Sequence, residues 1–332
     1  MKRMENSKNF LIILPGGIGN AVLFIPSLII LNKNYPFANF DFLITKNCLP
    51  DVFINIPFVR NVFIIPSNFI KIIFLLIKLF FNRYDYCIAT MGINKKKAYL
   101  ISRFIFAKFF LCEKNNNLSN THEVIRNFLI IKSIIKEGTE KDLKLTYYLN
   151  NDDIQFADNF YENVIKEEFI GIAPGSGNFL KEKRWHIDNF LILANLIVTN
   201  LNIKVVFFGS KQEEYLLADK KNNNEKILNC IGKLKLNQTA ALIRKAKLFI
   251  ANDCGLMHIA NALDIPVIAI FGPTIINKNR PFNPASIVIS KNYDCQPCYK
   301  FNQEIKCNEL KCLNDIKPEE VFLAVKKFLK IY

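Results

Sequence analysis

Three short stretches of this chain place glycine next to residues that can bind or polarise a phosphate. In the first, Ala173-Pro174-Gly175-Ser176-Gly177 is followed closely by Lys181, Lys183 and Arg184. Glycines let the backbone approach a ligand, and free N–H groups, a Ser hydroxyl and a Lys are what a diphosphate requires. The second, Asn252-Asp253-Cys254-Gly255-Leu256-Met257-His258, sets an acid and one of only three histidines around a glycine. A protonated His beside a diphosphate stabilises it as a leaving group. The third is Pro15-Gly16-Gly17-Ile18-Gly19-Asn20. It is not a dinucleotide fingerprint, because a pattern starting at Gly17 needs glycine where Val22 stands. Plainer readings stand beside each: a solvated basic loop, a core histidine and a structural turn.

Four of the nine cysteines fall late, as C-x2-C-x8-C-x4-C at Cys295, Cys298, Cys307 and Cys312. The first pair has zinc-like spacing, and four thiolates can close a tetrahedral site. The default reading is free structural cysteines. Residues 1–9 are polar and the apolar run Phe10–Leu14 stops at Pro15, so no secretory leader is expected. A reducing compartment follows, and disulfides are not expected.

The elements that must hold these stretches alternate in the manner of βαβ units with a mostly parallel sheet. Strands are expected at Asn9–Leu14, Phe40–Thr45, Val62–Ile65 and Asp85–Ala89, with a helix at Ala21–Asn34 after a turn at Gly16–Asn20. A polar stretch over residues 138–153 marks the approach to a boundary, and an amphipathic segment at Ile154–Lys166 follows. The rhythm then restarts with strands at Phe169–Ala173, Lys204–Phe208, Leu248–Ala251 and Val267–Phe271 and helices at Asp188–Asn200, Met257–Leu263 and Pro318–Ile331. All three glycine stretches thus sit at strand C-terminal ends, the edge where open α/β sheets bind ligands. Two domains are expected, residues 1–155 and 156–332, hinged between about 140 and 170, with the terminal helix free to cross back.

The 332 residues carry a net charge of +15, unevenly spread. Residues 1–150 hold 20 Lys and Arg against 9 Asp and Glu, and the remainder holds 24 against 20. A basic first half suits an anionic surface or glycan, and a solvated lysine-rich face is the plain alternative. No helix-turn-helix, zinc-finger or RNA-binding signature is present, so a nucleic-acid partner is not expected. The segment Phe69–Phe81 (FIKIIFLLIKLFF) is too short to span a bilayer, which takes about 20 apolar residues. Lys71 and Lys78, seven apart, share a helical face. The segment reads either as a helix lying in a membrane interface or, by default, as a core helix with snorkelling lysines.

At this point a family resemblance carries further. The segments GGIGNAVLFIPSL (Gly16–Leu28), RYDYCIA (Arg83–Ala89), HEVIRN (His122–Asn127), GIAPGSGNFLKEKRW (Gly171–Trp185), NDCGLMHIANALDIPVIAIFGPT (Asn252–Thr274) and CQPC…C…CLNDIKPEEV (Cys295–Val321) resemble the heptosyltransferase-type glycosyltransferases, family 9, over nearly the whole chain. The resemblance implies an α/β chain of the GT-B fold, with two Rossmann-like domains whose parallel sheets face each other across a cleft. The N-terminal domain would bind the acceptor and the C-terminal one the nucleotide-sugar donor. It implies inverting transfer of a sugar, heptose from ADP-heptose, onto lipopolysaccharide core or a related lipid-linked glycan. No cofactor beyond that donor is implied. The expected setting is the cytoplasm, peripheral on the inner face of the cytoplasmic membrane. By position, Ser176, Lys183, Glu213, Asp253, Gly255, Leu256 and His258 resemble the donor site, His258 also serving catalysis. Gly16, Gly17 and Gly19 resemble the acceptor-side loop. There the chain departs from the family: where a general-base Asp is usual stands Asn20, and an amide cannot take a proton at neutral pH. Glu123 is a candidate replacement; Asp85, at a strand entrance, is expected at the wrong sheet edge.

Two other readings remain open. One is a catalytically weakened homologue, suggested by Asn20. The other is a nucleotide-sugar-processing enzyme of the same fold, such as an epimerase, using a different sugar.

Overall fold

The structure is a computed structural model. It describes residues 7–90, 92–113, 118, 120–177, 180–220, 224–299, 305, 307 and 309–331. The chain divides into two compact units, residues 1–148 and 149–332.

In the first unit, β1 (Asn9–Leu14), β2 (Asn39–Ile44), β3 (Val59–Ile64), β4 (Tyr86–Ala89) and β5 (Phe109–Cys112) form a parallel sheet ordered β3-β2-β1-β4-β5. Its helices are α1 (Ile18–Asn34), α2 (Phe69–Phe81), α3 (Lys95–Phe104) and α4 (Glu123–Ile131). Successive strand residues point to opposite faces. Leu11 and Ile13 of β1, Leu43 of β2 and Cys87 and Ala89 of β4 meet Leu79 of α2 and Ala98 of α3 in one core cluster. On β1, Phe10 stacks instead with Phe40 and Tyr86, while α1 and α4 pack against each other. With both faces covered, the central strands β1 (from Phe10) and β4 are continuous apolar runs, as parallel sheets require.

The second unit opens with α5 (Asn151–Phe160), extended by a wider turn over Tyr161–Ile165 and packed on a later helix of the same unit. Its strands are β6 (Phe169–Ala173), β7 (Lys204–Phe207), β8 (Ile227–Asn229), β9 (Leu248–Asn252), β10 (Val267–Ile270) and β11 (Ile287–Ile289). They form a parallel sheet ordered β11-β10-β9-β6-β7-β8. The helices are α6 (Ile187–Leu201), α7 (Tyr215–Ala218), α8 (Leu236–Ile243), α9 (Gly255–Ala262), α10 (Ile276–Asn279), α11 (Lys311–Asn314) and α12 (Pro318–Leu329). Alternation is plain in β9: Leu248 and Ile250 join the core under α6 and α12, and Phe249 and Ala251 join the core under α8 and α9.

In both sheets the strand order reverses beside the first strand, between β1 and β4 and between β6 and β9. A doubly wound sheet offers its ligand crevice at that reversal, outside the strands' carboxyl ends.

Three sequence readings change. Helix α1 begins at Ile18, not Ala21, so Gly19 and Asn20 belong to its first turn. Low-propensity glycines concealed that turn; the buried run Ala21–Ile25 anchors it. The default reading of Phe69–Phe81 as a core helix fails, since only Leu79 of α2 is buried. The terminal helix α12 packs on α6 and β10 of its own unit.

Candidate active site

At the carboxyl edge of the second sheet, one buried carboxylate organises the loop after β6. Glu213 follows β7 in a short helical turn and is 6% exposed. Its Oε1 accepts from the Gly177 amide at 3.1 Å, and its Oε2 accepts from the Ser210 amide and hydroxyl, both at 2.9 Å. Gly175 makes this approach possible, because a Cβ there would collide with Glu213 Oε1. Arg184 closes the loop from the other side, its Nη2 donating to the Gly177 carbonyl at 2.7 Å and its Nε to Ser176 Oγ at 3.0 Å. The Ser176 hydroxyl itself donates to the Leu180 carbonyl at 2.6 Å. Ser176, expected to contact a donor, thus spends its hydroxyl within the loop. Asn178 and Phe179 of this loop lie outside the described residues.

The loop is tied to β9 through Asn252. Its side chain donates to the Pro174 carbonyl at 2.8 Å and accepts from the Trp185 amide at 3.0 Å. Next to it, Asp253 is buried and its Oδ2 accepts from both Lys183 Nζ and Thr274 Oγ1 at 2.9 Å. Burial alone would raise the Asp253 carboxyl; the charges of Lys183 and His258 and the two hydrogen bonds outweigh it and hold the group below the usual carboxylate range. Lys183 also lies 5.7 Å from the centre of the Tyr299 ring. Gly255 and Leu256 open α9, whose first amides have no partner within the helix, and His258 is buried one step further along. Cys254, at the helix cap, has its thiol pushed up to about 12 by burial and is no nucleophile. Lys183, Asp253, Gly255 and His258 therefore gather at the reversal between β6 and β9, where free N–H groups and a cation can meet a diphosphate.

Thr274 closes the FGPT that ends the Asn252–Thr274 segment read from the sequence, and it follows β10 at the same edge; Tyr299 escaped that reading. No local signal points at Tyr299. It arrives because the cysteine-rich segment packs on the loop after β10, with the Tyr299 amide donating to the Pro273 carbonyl at 3.0 Å and Gln296 Nε2 to the Gly272 carbonyl at 2.6 Å. Cys295 is exposed, Cys298 and Cys307 are half-buried and Cys312 is buried, and all four are free thiols. Burial, reinforced by the neighbouring thiols, raises Cys298 and takes Cys312 to about 11. Among the described residues, no group of three or more His, Cys, Asp or Glu is arranged to hold a metal ion.

In the first unit, the loop after β1 delivers Gly16, Gly17, Gly19 and Asn20 to the carboxyl edge of that sheet. The Asn20 side chain folds over Gly16, so closely that a Cβ on Gly16 would overlap Asn20 Cγ. No acid lies in the first turn of α1. Asp41 is fully buried in β2, held by Arg60 at 2.6 Å, Tyr84 at 2.6 Å and Asn61 at 3.1 Å. Asp85 precedes β4 at the opposite edge and is paired with Lys108 at 2.8 Å. Two acids do lie at the carboxyl edge. Glu113 follows β5 and takes two hydrogen bonds from Arg126, at 2.8 and 3.1 Å. Glu123 opens α4, buried, 3.7 Å from the same guanidinium. Glu113 also lines a small hollow with Thr90, Gly92 and Lys95.

The model of the family described as glycosyltransferase family 9 (heptosyltransferase) matches residues 87–308. Lipooligosaccharide heptosyltransferase 2 of Campylobacter jejuni (serotype O:6, strain 81116) is 28% identical over 66% of this chain and 67% of its own length. Lipopolysaccharide heptosyltransferase 2 of Salmonella typhimurium is 34% identical over 36% of this chain and 35% of its own. The chain thus spans about two thirds of the Campylobacter relative and about a third of the Salmonella one. Among solved structures, ADP-heptose lipopolysaccharide heptosyltransferase II of E. coli superimposes with a TM-score of 0.76 at 22% identity, covering 97% of this chain and 98% of that one. A family 9 glycosyl transferase of Veillonella parvula gives 0.79 at 19%, covering 99% of both. At such identities these likenesses speak for the fold.

Proposed function

The chain belongs to glycosyltransferase family 9, the heptosyltransferases, with the α/β two-sheet architecture of the GT-B fold, and on that premise we propose that it transfers heptose from ADP-heptose to the core of a lipid-linked lipopolysaccharide or lipooligosaccharide. The observation that carries this reading is the cluster at the β6–β9 reversal, where Lys183, Asp253 and Thr274 are joined next to the amides that open α9. Lys183 and those amides take the diphosphate, His258 adds positive potential beside it, and Glu213 fixes the loop that approaches the nucleoside. The acceptor oxygen attacks the anomeric carbon as its bond to the diphosphate breaks. Configuration inverts, the electron pair leaves on ADP, and the acceptor proton passes to a base. The N-terminal unit supplies the acceptor loop at Gly16–Asn20. The reaction takes place on the inner face of the cytoplasmic membrane, where the acceptor is anchored.

A second reading rests on Asn20. Without a carboxylate at that position the chain is a slow transferase, or it uses another base, for which Glu113 and Glu123 are the acids at the same sheet edge. Incubating the purified chain with labelled ADP-heptose, and separately with UDP-sugars, with and without truncated lipopolysaccharide, distinguishes these outcomes. Transfer from ADP-heptose alone supports the proposal. Transfer only from a UDP-sugar, or interconversion of the sugar without an acceptor, overturns it.

A further inference from the structure

On the first unit, α2 and α3 form the layer covering one face of the sheet, and the outer side of that layer is apolar. Winding α2 at 3.6 residues per turn puts Phe69, Ile70, Ile73, Phe74, Ile77, Phe80 and Phe81 on one arc of roughly 140°. All seven are exposed, Phe69 and Phe81 by 74% and Phe74 by 68%. Leu79 and the half-buried Ile72, Leu75 and Leu76 fill a separate arc turned to the core, and Lys71 and Lys78 stand on the border of the exposed arc. Phe80 continues the apolar surface onto the next segment, its ring 6.4 Å from Phe104 and 5.7 Å from Phe106, which is 75% exposed. A soluble monomer does not leave so many rings in water without a use.

The charge around these rings selects the partner. Residues 68–109 hold eight Lys and Arg (Lys71, Lys78, Arg83, Lys95, Lys96, Lys97, Arg103 and Lys108) against a single acid, Asp85. That segment accounts for most of the surplus charge of the first half. Asp85 is already engaged by Lys108 at 2.8 Å and Lys8 at 3.7 Å. A second copy of the chain would bring the same excess of cations to this face and repel it. An anionic phospholipid surface offers the complement: headgroups for the cations and an acyl boundary for the rings. We propose that the outer face of α2 and α3 is a membrane-docking surface for anionic phospholipid, the α2 arc entering the headgroup–acyl boundary and Lys95, Lys96 and Lys97 lying on the headgroups. No helix among the described residues is long and apolar enough to cross a membrane, so docking is by surface contact. This deepens the membrane setting of the function proposed above and rests on it only for the location of the acceptor.

The test is co-sedimentation of the full chain with glycan-free vesicles, of phosphatidylcholine alone or with a third of phosphatidylglycerol, at low and high salt. The wild-type chain is expected to pellet with the anionic vesicles, to release in high salt, and to ignore phosphatidylcholine. Phe69→Ser/Phe74→Ser/Phe81→Ser should lose at least about tenfold in partitioning, given the apolar area each ring buries at an interface. Lys95→Gln/Lys96→Gln/Lys97→Gln should lose about a hundredfold, at roughly fivefold per cation. All six side chains are exposed, so the circular dichroism and melting temperature of both variants should match the wild type. Equal partitioning onto neutral and anionic vesicles, or unchanged partitioning of either variant, overturns the proposal. So does a vesicle-free oligomer that the phenylalanine substitutions convert to monomer. Transfer to a soluble acceptor fragment is scored separately, so failure to dock and failure to transfer are distinguishable.

Discussion

The carboxyl edges of the two sheets share a strand order and differ in how their polar groups are held. In the second unit the edge is buried and ionic: Lys183 and Thr274 converge on Asp253, and three donors fix Glu213. In the first unit the corresponding loop is glycine and amide, with Asn20 folded over Gly16. Its nearby acids, Glu113 and Glu123, are bound to Arg126. The function proposed above divides the two edges between two tasks, the ionic one for the charged donor and the glycine-and-amide one for the larger acceptor; the shared topology does not separate them, and the side chains at the reversal point would.

The sharpest way to break that contrast is to give the first edge a charge. Asn20→Asp is nearly isosteric, and a carboxylate in the first turn of α1 suits the helix dipole, so the fold should persist. If the missing base limits the reaction, turnover with a lipopolysaccharide acceptor should rise by about 10²–10⁴-fold, the usual contribution of a positioned base. Steady-state rates check this; loss of activity instead would make Asn20 an acceptor-recognition residue.

A smaller effect compares the glycines. Gly175→Ala drives a methyl into a carboxylate that is buried and held by three donors, and should destabilise the chain by about 1–3 kcal/mol, read as a lower melting temperature. Gly16→Ala meets the Asn20 side chain down to its Cβ, at 2.6 Å, but no carboxylate held by three donors, so it should cost less stability than Gly175→Ala while lowering transfer. Equal melting temperatures for the two variants would contradict the difference in rigidity.

The smallest effect is in acid. The carboxyl of Asp253 titrates below the usual carboxylate value in the folded chain, so its contribution to stability is complete above about pH 4 and is lost as pH falls through the lowered folded value. Lys183→Ala leaves burial, which raises the carboxyl, less opposed. Its acid unfolding should begin at higher pH than the wild type's. The single tryptophan, Trp185, is buried beside this pair and reports the transition by fluorescence. Coincident acid midpoints would count against the pair's role.

How much of this was legible in the chain follows from how local each signal is. Strands β1 and β6 and helix α2 have the bounds their sequences suggest, because a glycine turn or an unbroken apolar run delimits each. Helix α3 opens on three lysines that hide its period, and β8 and β11, with three residues each, are too short to show one. The periodicity of α2 announced a helix but not which side packs, since that depends on what the rest of the unit brings to it. Lys183, Glu213 and Asp253 were legible from motif positions. Thr274 stood at the end of the Asn252–Thr274 segment, whereas Tyr299 was not legible, because only the packing of the cysteine-rich segment on the loop after β10 places it beside Lys183.

The most direct test of the central claim, that the β6–β9 edge holds the diphosphate of the donor, is calorimetric titration of ADP-heptose into the wild-type chain and into Lys183→Ala. A charge-assisted hydrogen bond to phosphate contributes about 1.5–3 kcal/mol, so the variant should bind roughly ten to a hundred times more weakly. Equal affinities, with both proteins folded, would remove Lys183 from the donor site and contradict the account.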